Sequence, residues 1–167
     1  EEVVEQIESK ILSFGFEAIP FLEEASLTEQ EVLRLQRMQN IIRELKKTEI
    51  LRDLTFWKQH ESDDLLKGML ILERIEYPHT DFQSIHNQLD KIRLDAWLEF
   101  NYDLTSFEHI KIMNYIFFKV HRFKGNAEEY HDIKNSCISQ VLENRTGNPV
   151  SLGIIYSLIA QRLNIPV

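Results

Sequence analysis

The sequence predicts an all-α fold, on three observations. Glycine and proline are scarce, five and four residues of 167, too few for the many sharp turns of a β-sandwich or barrel. Apolar residues recur at steps of three and four along almost the whole length. Helix-start signals stand ahead of several of these runs: Ser, Thr, Asp or Asn, followed by Glu three residues on or by Pro at the next position. At 43% apolar and 28% charged the composition is that of a globular chain. A domain of about 150 residues buries roughly 68–70% of its unfolded surface, so one substantial core is within reach.

Taken in order, Val3, Val4, Ile7, Ile11 and Phe14 form one helical stripe, closed by Gly15 as C-cap. A short element over 18–25 carries Pro20 near its start. Thr28 and Glu31 read as a capping box before a long helix through Val32, Leu35, Met38, Ile42 and Leu45. Thr48 is expected to cap a separate shorter helix through Leu51, Leu54 and Trp57. Together these suggest small antiparallel helix pairs of the HEAT-like kind. Ser62, with Asp63 and Asp64, reads as the cap of a helix whose apolar side is Leu65, Met69, Leu72 and Ile75, stopped at Tyr77-Pro78. Phe82, Ile85, Leu89, Ile92 and Ala96 then predict a packed amphipathic helix, since the run is short for a coiled coil. The β-formers of Tyr115–Val120 are outvoted by the wider spacing of Phe107, Ile110, Met113, Phe117 and Val120 and by the Thr105/Glu108 box. A polar loop over 122–132 leads to a short helix bearing Cys137, Ile138, Val141 and Leu142. The last helix opens at Asn148-Pro149 and runs through Leu152, Ile155, Ile159 and Leu163.

Nineteen Lys and Arg against 27 Asp and Glu give a net charge of −8. That balance speaks against non-specific nucleic-acid binding, which needs cations to displace phosphate counterions. Even the densest basic stretch, Arg43, Lys46 and Lys47, is interleaved with Glu44 and Glu49. A single cysteine cannot form an internal disulfide and fits a reducing compartment. Glu1 and Glu2 stand where a secretory leader needs basic residues, and the longest apolar run, 153–160, is short of a membrane span. These features lead to the expectation of a cytoplasmic protein without membrane contact. A start without Met and a stop just past a helix end suggest a fragment of a longer chain.

Chemistry concentrates late in the chain. Asn148 is a good N-cap, and Pro149 at the first helical position forfeits no hydrogen bond. Val150 and Ser151 then occupy the first turn, where free N–H groups and the helix dipole favour an anion or an activated nucleophile. Ser151 is the one hydroxyl there. As a nucleophile it needs a base within reach and a third group to orient that base; the alternative is a capping role toward Asn148. Arg145 is placed to pair with Glu143 or Asp132, or with an anionic partner, and Gly147 is expected to supply a left-handed backbone position. Glu128, Glu129, His131 and Asp132 lack recognisable ligand spacing and read as a solvated loop, not a metal site. His60, His79, His86, His109 and His121 are scattered. Cys137 reads as a buried filler, and Trp57 and Trp97 as core or interface anchors. No phosphate-binding Gly-rich loop occurs and no cofactor is expected.

Residues 123–167 carry a resemblance. Phe123-Lys124-Gly125-Asn126, Tyr130, Asn135-Ser136, the run Val141-Leu142-Glu143-Asn144-Arg145-Thr146-Gly147-Asn148-Pro149-Val150-Ser151-Leu152, Ile155-Tyr156, Ala160 and Arg162 to Val167 resemble the SirB-type branch of transglutaminase-like proteins, a bacterial family whose domain is also found in some eukaryotic F-box proteins. Leu72–Leu89, with Glu76-Tyr77-Pro78, looks like that family's helical lead-in. The resemblance implies that 1–60 is an N-terminal helical lead-in and that 61–167 is the helical half of a papain-like α+β domain whose sheet lies downstream. It implies a family-motif cluster of Gly125, Asn126, Tyr130, Asn135, Arg145, Gly147, Pro149 and Ser151.

In the superfamily the catalytic cysteine sits on the first turn of the helix equivalent to the last one here, near Pro149, and the candidate histidine lies beyond Val167. Proline offers no nucleophile. The expectation is therefore a non-catalytic regulatory module that binds a protein or peptide, with self-association through an exposed last helix. The alternative is a hydrolase or acyltransferase on amide or ester bonds that uses Ser151 or a downstream residue.

Overall fold

The computed structural model describes residues 2–78, 80–101 and 103–165, with the backbone alone of Glu2. The chain divides between Glu61 and Ser62 into two compact units.

The first unit holds α1 (Glu2–Ser13), one 3-10 turn (Gly15–Ala18), α2 (Ile19–Thr28) and α3 (Val32–His60). Gly15 ends α1 with φ +66°, the left-handed position that glycine tolerates without a Cβ clash. Both shorter helices pack on α3. Ala18, Ile19 and Leu22 close over Ile41 and Leu45, with Ile11, Met38 and Ile42 at the margin.

Two expected boundaries differ. Thr28 closes α2, where its hydroxyl donates to the Ala25 carbonyl. The Glu29 carboxylate instead accepts the amides of Gln30 and Glu31 ahead of α3. Thr48 starts no new helix. Its hydroxyl donates to the Glu44 carbonyl at 2.8 Å, a bond that lets threonine sit inside a helix, and α3 runs on unbroken for 29 residues.

The second unit comprises α4 (Leu65–Glu73), α5 (Phe82–Leu98), α6 (Ser106–Tyr115), β1 (Lys124–Gly125), α7 (Ile138–Asn144), β2 (Thr146–Gly147) and α8 (Pro149–Arg162). Asp64, rather than Ser62, caps α4 by accepting the Lys67 amide. The buried side of α4 is rotated from the expected one: Leu66, Leu70 and Ile71 face in while Leu72 and Ile75 are exposed. Asp81 caps α5, whose Ile85, Leu89, Ile92 and Ala96 are all buried as the periodicity predicts.

The Thr105/Glu108 box forms in full at the start of α6. The helix then widens to π geometry over Ile116–Val120, where the His121 amide reaches back five residues to the Ile116 carbonyl. Met113 and Phe117 are buried as expected, together with Ile116, whereas Phe107 and Ile110, ahead of the π turn, and Val120 within it are exposed.

The all-α expectation holds apart from one short element: β1 and β2 pair in parallel, Lys124 with Thr146 and Gly125 with Gly147. The core of this unit joins α4 through α8, and Ile155, Leu158 and Ile159 of the last helix lie inside it, with Leu152 and Leu163 packed at its edge. The expected exposed stripe on α8 is therefore corrected: its own unit covers it, so self-association through that face loses its basis. Trp97 is 56% exposed and no part of the core. Among the described residues no helix is long and apolar enough to cross a membrane.

Candidate functional site

The site is built around the turn from α7 into α8. Arg145 ends α7 in the left-handed region at φ 58°, so the turn's positive-φ residue is Arg145 and not Gly147 as expected. Gly147 is needed for closeness instead. A Cβ there would stand 2.7 Å from Ser151 Oγ and 2.8 and 2.9 Å from the two methyls of Val141.

One step on, Asn148 caps α8: its side-chain oxygen accepts the Ser151 amide at 2.8 Å, and its carbonyl accepts the Leu152 amide. Pro149 fills the first helical position, as expected, and is exposed. With Pro149 lacking an N–H and the Ser151 amide taken, little of the helix N-terminus remains to hold an anion.

Asn135 is the hub of this corner, although only 3% exposed. Its side-chain amide donates to the carbonyls of Glu129 and Tyr130, and its side-chain oxygen accepts from the Asn126 amide group. Its main-chain carbonyl accepts both the Asn148 amide at 3.1 Å and the Ser151 hydroxyl at 2.6 Å. The Asn126 main chain donates to the Gly147 carbonyl, extending the strand pair. A buried amide side chain satisfied at both ends fixes its neighbours, since any of these bonds broken leaves a polar group without water. Ser151 is 1% exposed, and its second carbonyl neighbour is Asn148 at 3.1 Å.

Of the family-motif cluster, Gly125, Asn126, Asn135, Gly147 and Ser151 are thus joined in one network with Pro149 beside it. Arg145 and Tyr130 enter it only through their main-chain carbonyls, which accept the Lys124 amide and the Asn135 side-chain amide; their side chains are not part of it. The Arg145 guanidinium lies over the Phe123 ring, 5.0 Å from its centre. It makes none of the expected pairs with Glu143 or Asp132 among the described residues, and burial lowers its pKa. The Tyr130 side chain is exposed, edge-on to His131. An open depression of about 550 Å³ beside the network is lined by Lys124, Glu128, Glu129, Asp132 and Lys134 among others. Among the described residues no group of three His, Cys, Asp or Glu is placed to hold a metal ion. His79, Pro166 and Val167 lie outside the described residues.

Cys137 is buried and donates to the Ile133 carbonyl. Burial, with the negative charges of Glu73, Glu76 and Asp132 adding to it, pushes its thiol up to about 11. A thiol held protonated is a poor nucleophile.

Two groups escape sequence reasoning. Glu73 is 3% exposed, and both its carboxylate oxygens accept the Ser139 amide in the first turn of α7, at 3.3 and 3.1 Å. His121 Nε2 meets the Asp95 carboxylate at 2.8 Å. Burial lowers the His121 pKa against the opposing pull of Asp95, which makes the contact at neutral pH a neutral N–H donating to a carboxylate. Both pairings span long sequence separations, so no local motif announces them.

A family model described as transglutaminase-like superfamily matches residues 83–167. A UPF0162 protein of Xylella fastidiosa is 33% identical over 113 residues, 64% of this chain and 38% of that protein. A UPF0162 protein of Vibrio cholerae is 29% identical over 104 residues, 62% of this chain and again 38% of the relative. F-box only protein 21 of Homo sapiens is 40% identical over 55 residues, 33% of this chain and 9% of that protein. The chain thus spans 38% of the length of the bacterial relatives. These relatives fit a SirB-type family with eukaryotic F-box members. No solved structure matches the chain at a significant level.

Proposed function

The chain belongs to the transglutaminase-like superfamily, and from that premise we propose that it is a non-catalytic, protein- or peptide-binding module of it, acting in the cytoplasm. The observation that carries the reading is the Ser151 hydroxyl, 1% exposed and bonded to the Asn135 carbonyl at 2.6 Å. A nucleophile must reach its substrate and hand its proton to a base. This hydroxyl is sealed from solvent and donates its hydrogen bond to a carbonyl, which is no base and cannot take the proton. Pro149 at the first turn supplies no alternative, and the one thiol, Cys137, is kept protonated.

Residues 61–167 on this reading are the helical half of a transglutaminase-like domain whose motif residues serve to lock the α7–α8 corner. Likeness to proteins named F-box only protein 21 supports a role in protein interaction. The hydrolase or acyltransferase reading has one observation in its favour, the His121–Asp95 pair, an arrangement that orients an imidazole in many acyl-transfer sites.

Treating the protein with a fluorophosphonate and with iodoacetamide separates the two. The binding-module reading expects neither reagent to modify the native protein, and iodoacetamide to reach Cys137 only after denaturation. Fluorophosphonate labelling that is lost in Ser151→Ala, or rapid native alkylation of Cys137, contradicts it.

A further inference from the structure

The first unit carries a surface that its own packing does not use. Between α1 and α2 runs an open groove of about 350 Å³, lined by Ile11, Phe14, Glu17, Ala18, Phe21 and Leu22. Its two rims are aromatic: Phe14 is 58% and Phe21 74% exposed. Val3 and Ile7, two turns and one turn before Ile11 on α1, are exposed as well. Two exposed phenylalanines flanking an apolar trough mark an interaction surface, because each leaves a ring in water that a partner could cover.

The charge around the groove says what kind of partner fits. Residues 1–31 contain nine glutamates against one lysine. Some of that charge is neutralised from α3, where Arg37 pairs with Glu8, Lys46 with Glu23, and Arg34 with Glu29 and Glu31. Glu17 and Glu24 have no such pair among the described residues. Glu17 lines the groove from the 3-10 turn, and Glu24 follows Phe21 by three residues on α2 and so shares its face, which sets two uncompensated carboxylates beside this strongly exposed ring. The one lysine, Lys10, lies over the Phe14 ring.

We propose that the α1–α2 groove docks an amphipathic helix of a partner protein, whose apolar side enters between Phe14 and Phe21 and whose flanking Lys or Arg residues meet Glu17 and Glu24. An amphipathic helix lays residues at i, i+3 or i+4 and i+7 into an apolar trough. The acidic rim selects for basic neighbours and against acidic ones, which supplies specificity as well as attraction. The inference rests on the binding-module reading and adds to it the chemistry of the partner and the place where it sits.

The test uses two fluorescent helical peptides of about 18 residues, five turns, one of Leu and Lys and one of Leu and Glu, titrated into the protein and followed by anisotropy. The Leu/Lys peptide should bind saturably, and the Leu/Glu peptide should not. Phe21→Ala should weaken binding by about tenfold or more, as loss of a central aromatic anchor does. Glu17→Lys with Glu24→Lys should weaken it and flatten its salt dependence. Phe21 is exposed, so helicity by circular dichroism should be unchanged in Phe21→Ala, and Phe14→Ala serves as an independent second variant.

Absence of saturable binding, equal binding of the two peptides, or wild-type affinity in both phenylalanine variants overturns the proposal. So does concentration-dependent dimerisation in sedimentation that Phe21→Ala abolishes, which would make a second copy the occupant. Such failures leave the Ser151 labelling result untouched, and labelling at Ser151 would leave the groove result untouched.

Discussion

The Ser151 hydroxyl donates to the main-chain carbonyl of Asn135 at 2.6 Å. This single bond ties the first turn of α8 to the 3-10 turn Ile133–Ser136, sixteen residues earlier in the chain. It also explains why the residue between α7 and α8 that comes closest to it is a glycine. Ser151 Oγ and the Val141 methyls occupy the space that a side chain at 147 would need.

Gly147→Ala should therefore be destabilising although the position has no left-handed strain to relieve. The added methyl meets the Ser151 hydroxyl and the Val141 methyls at less than van der Waals distance, and both residues are buried, so the core must shift. A cost of about 1–3 kcal/mol, typical of overpacking, should appear as a lower urea midpoint. Adding Ser151→Ala removes one of the clashing atoms, and the double variant should be less destabilised than the sum of the singles.

Glu73→Ala should destabilise by about 1–2 kcal/mol through loss of the cap on α7 and of a buried acceptor. Glu73→Gln keeps an oxygen facing the Ser139 amide and should recover most of that loss. The comparison by urea denaturation separates the hydrogen bond from the charge. An equal loss in both variants would mean that the negative charge itself is required.

His121 predicts a pH dependence. Its pKa in the folded protein lies below the 6.5 of the free side chain, because burial disfavours the charged form more than Asp95 favours it. The unfolded chain then binds the proton more readily than the folded one. Stability from this group is complete above about pH 6.5 and is lost as pH falls below it. His121→Gln keeps a donor for Asp95 without a titrating ring. Denaturation curves at pH 7.5 and 5.5 should show a smaller drop for the variant than for the wild type.

Local chemistry was legible wherever a signal and its partner lie within a few residues. Thr105 with Glu108, Asn148 with Pro149, and Gly15 all behave as their types and spacing dictate. Thr28 with Glu31 has the same spacing and fails, because Glu29 reaches those amides first and Thr28 is still inside α2. Thr48 misleads for a related reason: threonine marks a helix start only when its backbone is extended, and here the hydroxyl is satisfied inside a helix.

Buried faces were read correctly on α5 and only in part elsewhere: Met113 and Phe117 are buried as expected, whereas Phe107, Ile110 and Val120 are exposed and the buried side of α4 is rotated. In the site, Asn148 and its cap could be deduced from the letters. The hub role of Asn135 could not, since it depends on carbonyls from a loop whose path no periodicity describes. The left-handed position expected at Gly147 falls on Arg145, because the turn needs one left-handed residue and one close approach, and only packing decides which residue provides which.

The most direct test of the account is the stability of Ser151→Ala, measured by urea denaturation. If Ser151 is a structural tie, its removal leaves the Asn135 carbonyl with one fewer buried donor, and the protein should lose about 1–2 kcal/mol. A variant as stable as the wild type, or more stable, would contradict that and mark Ser151 as a residue kept for something other than the fold.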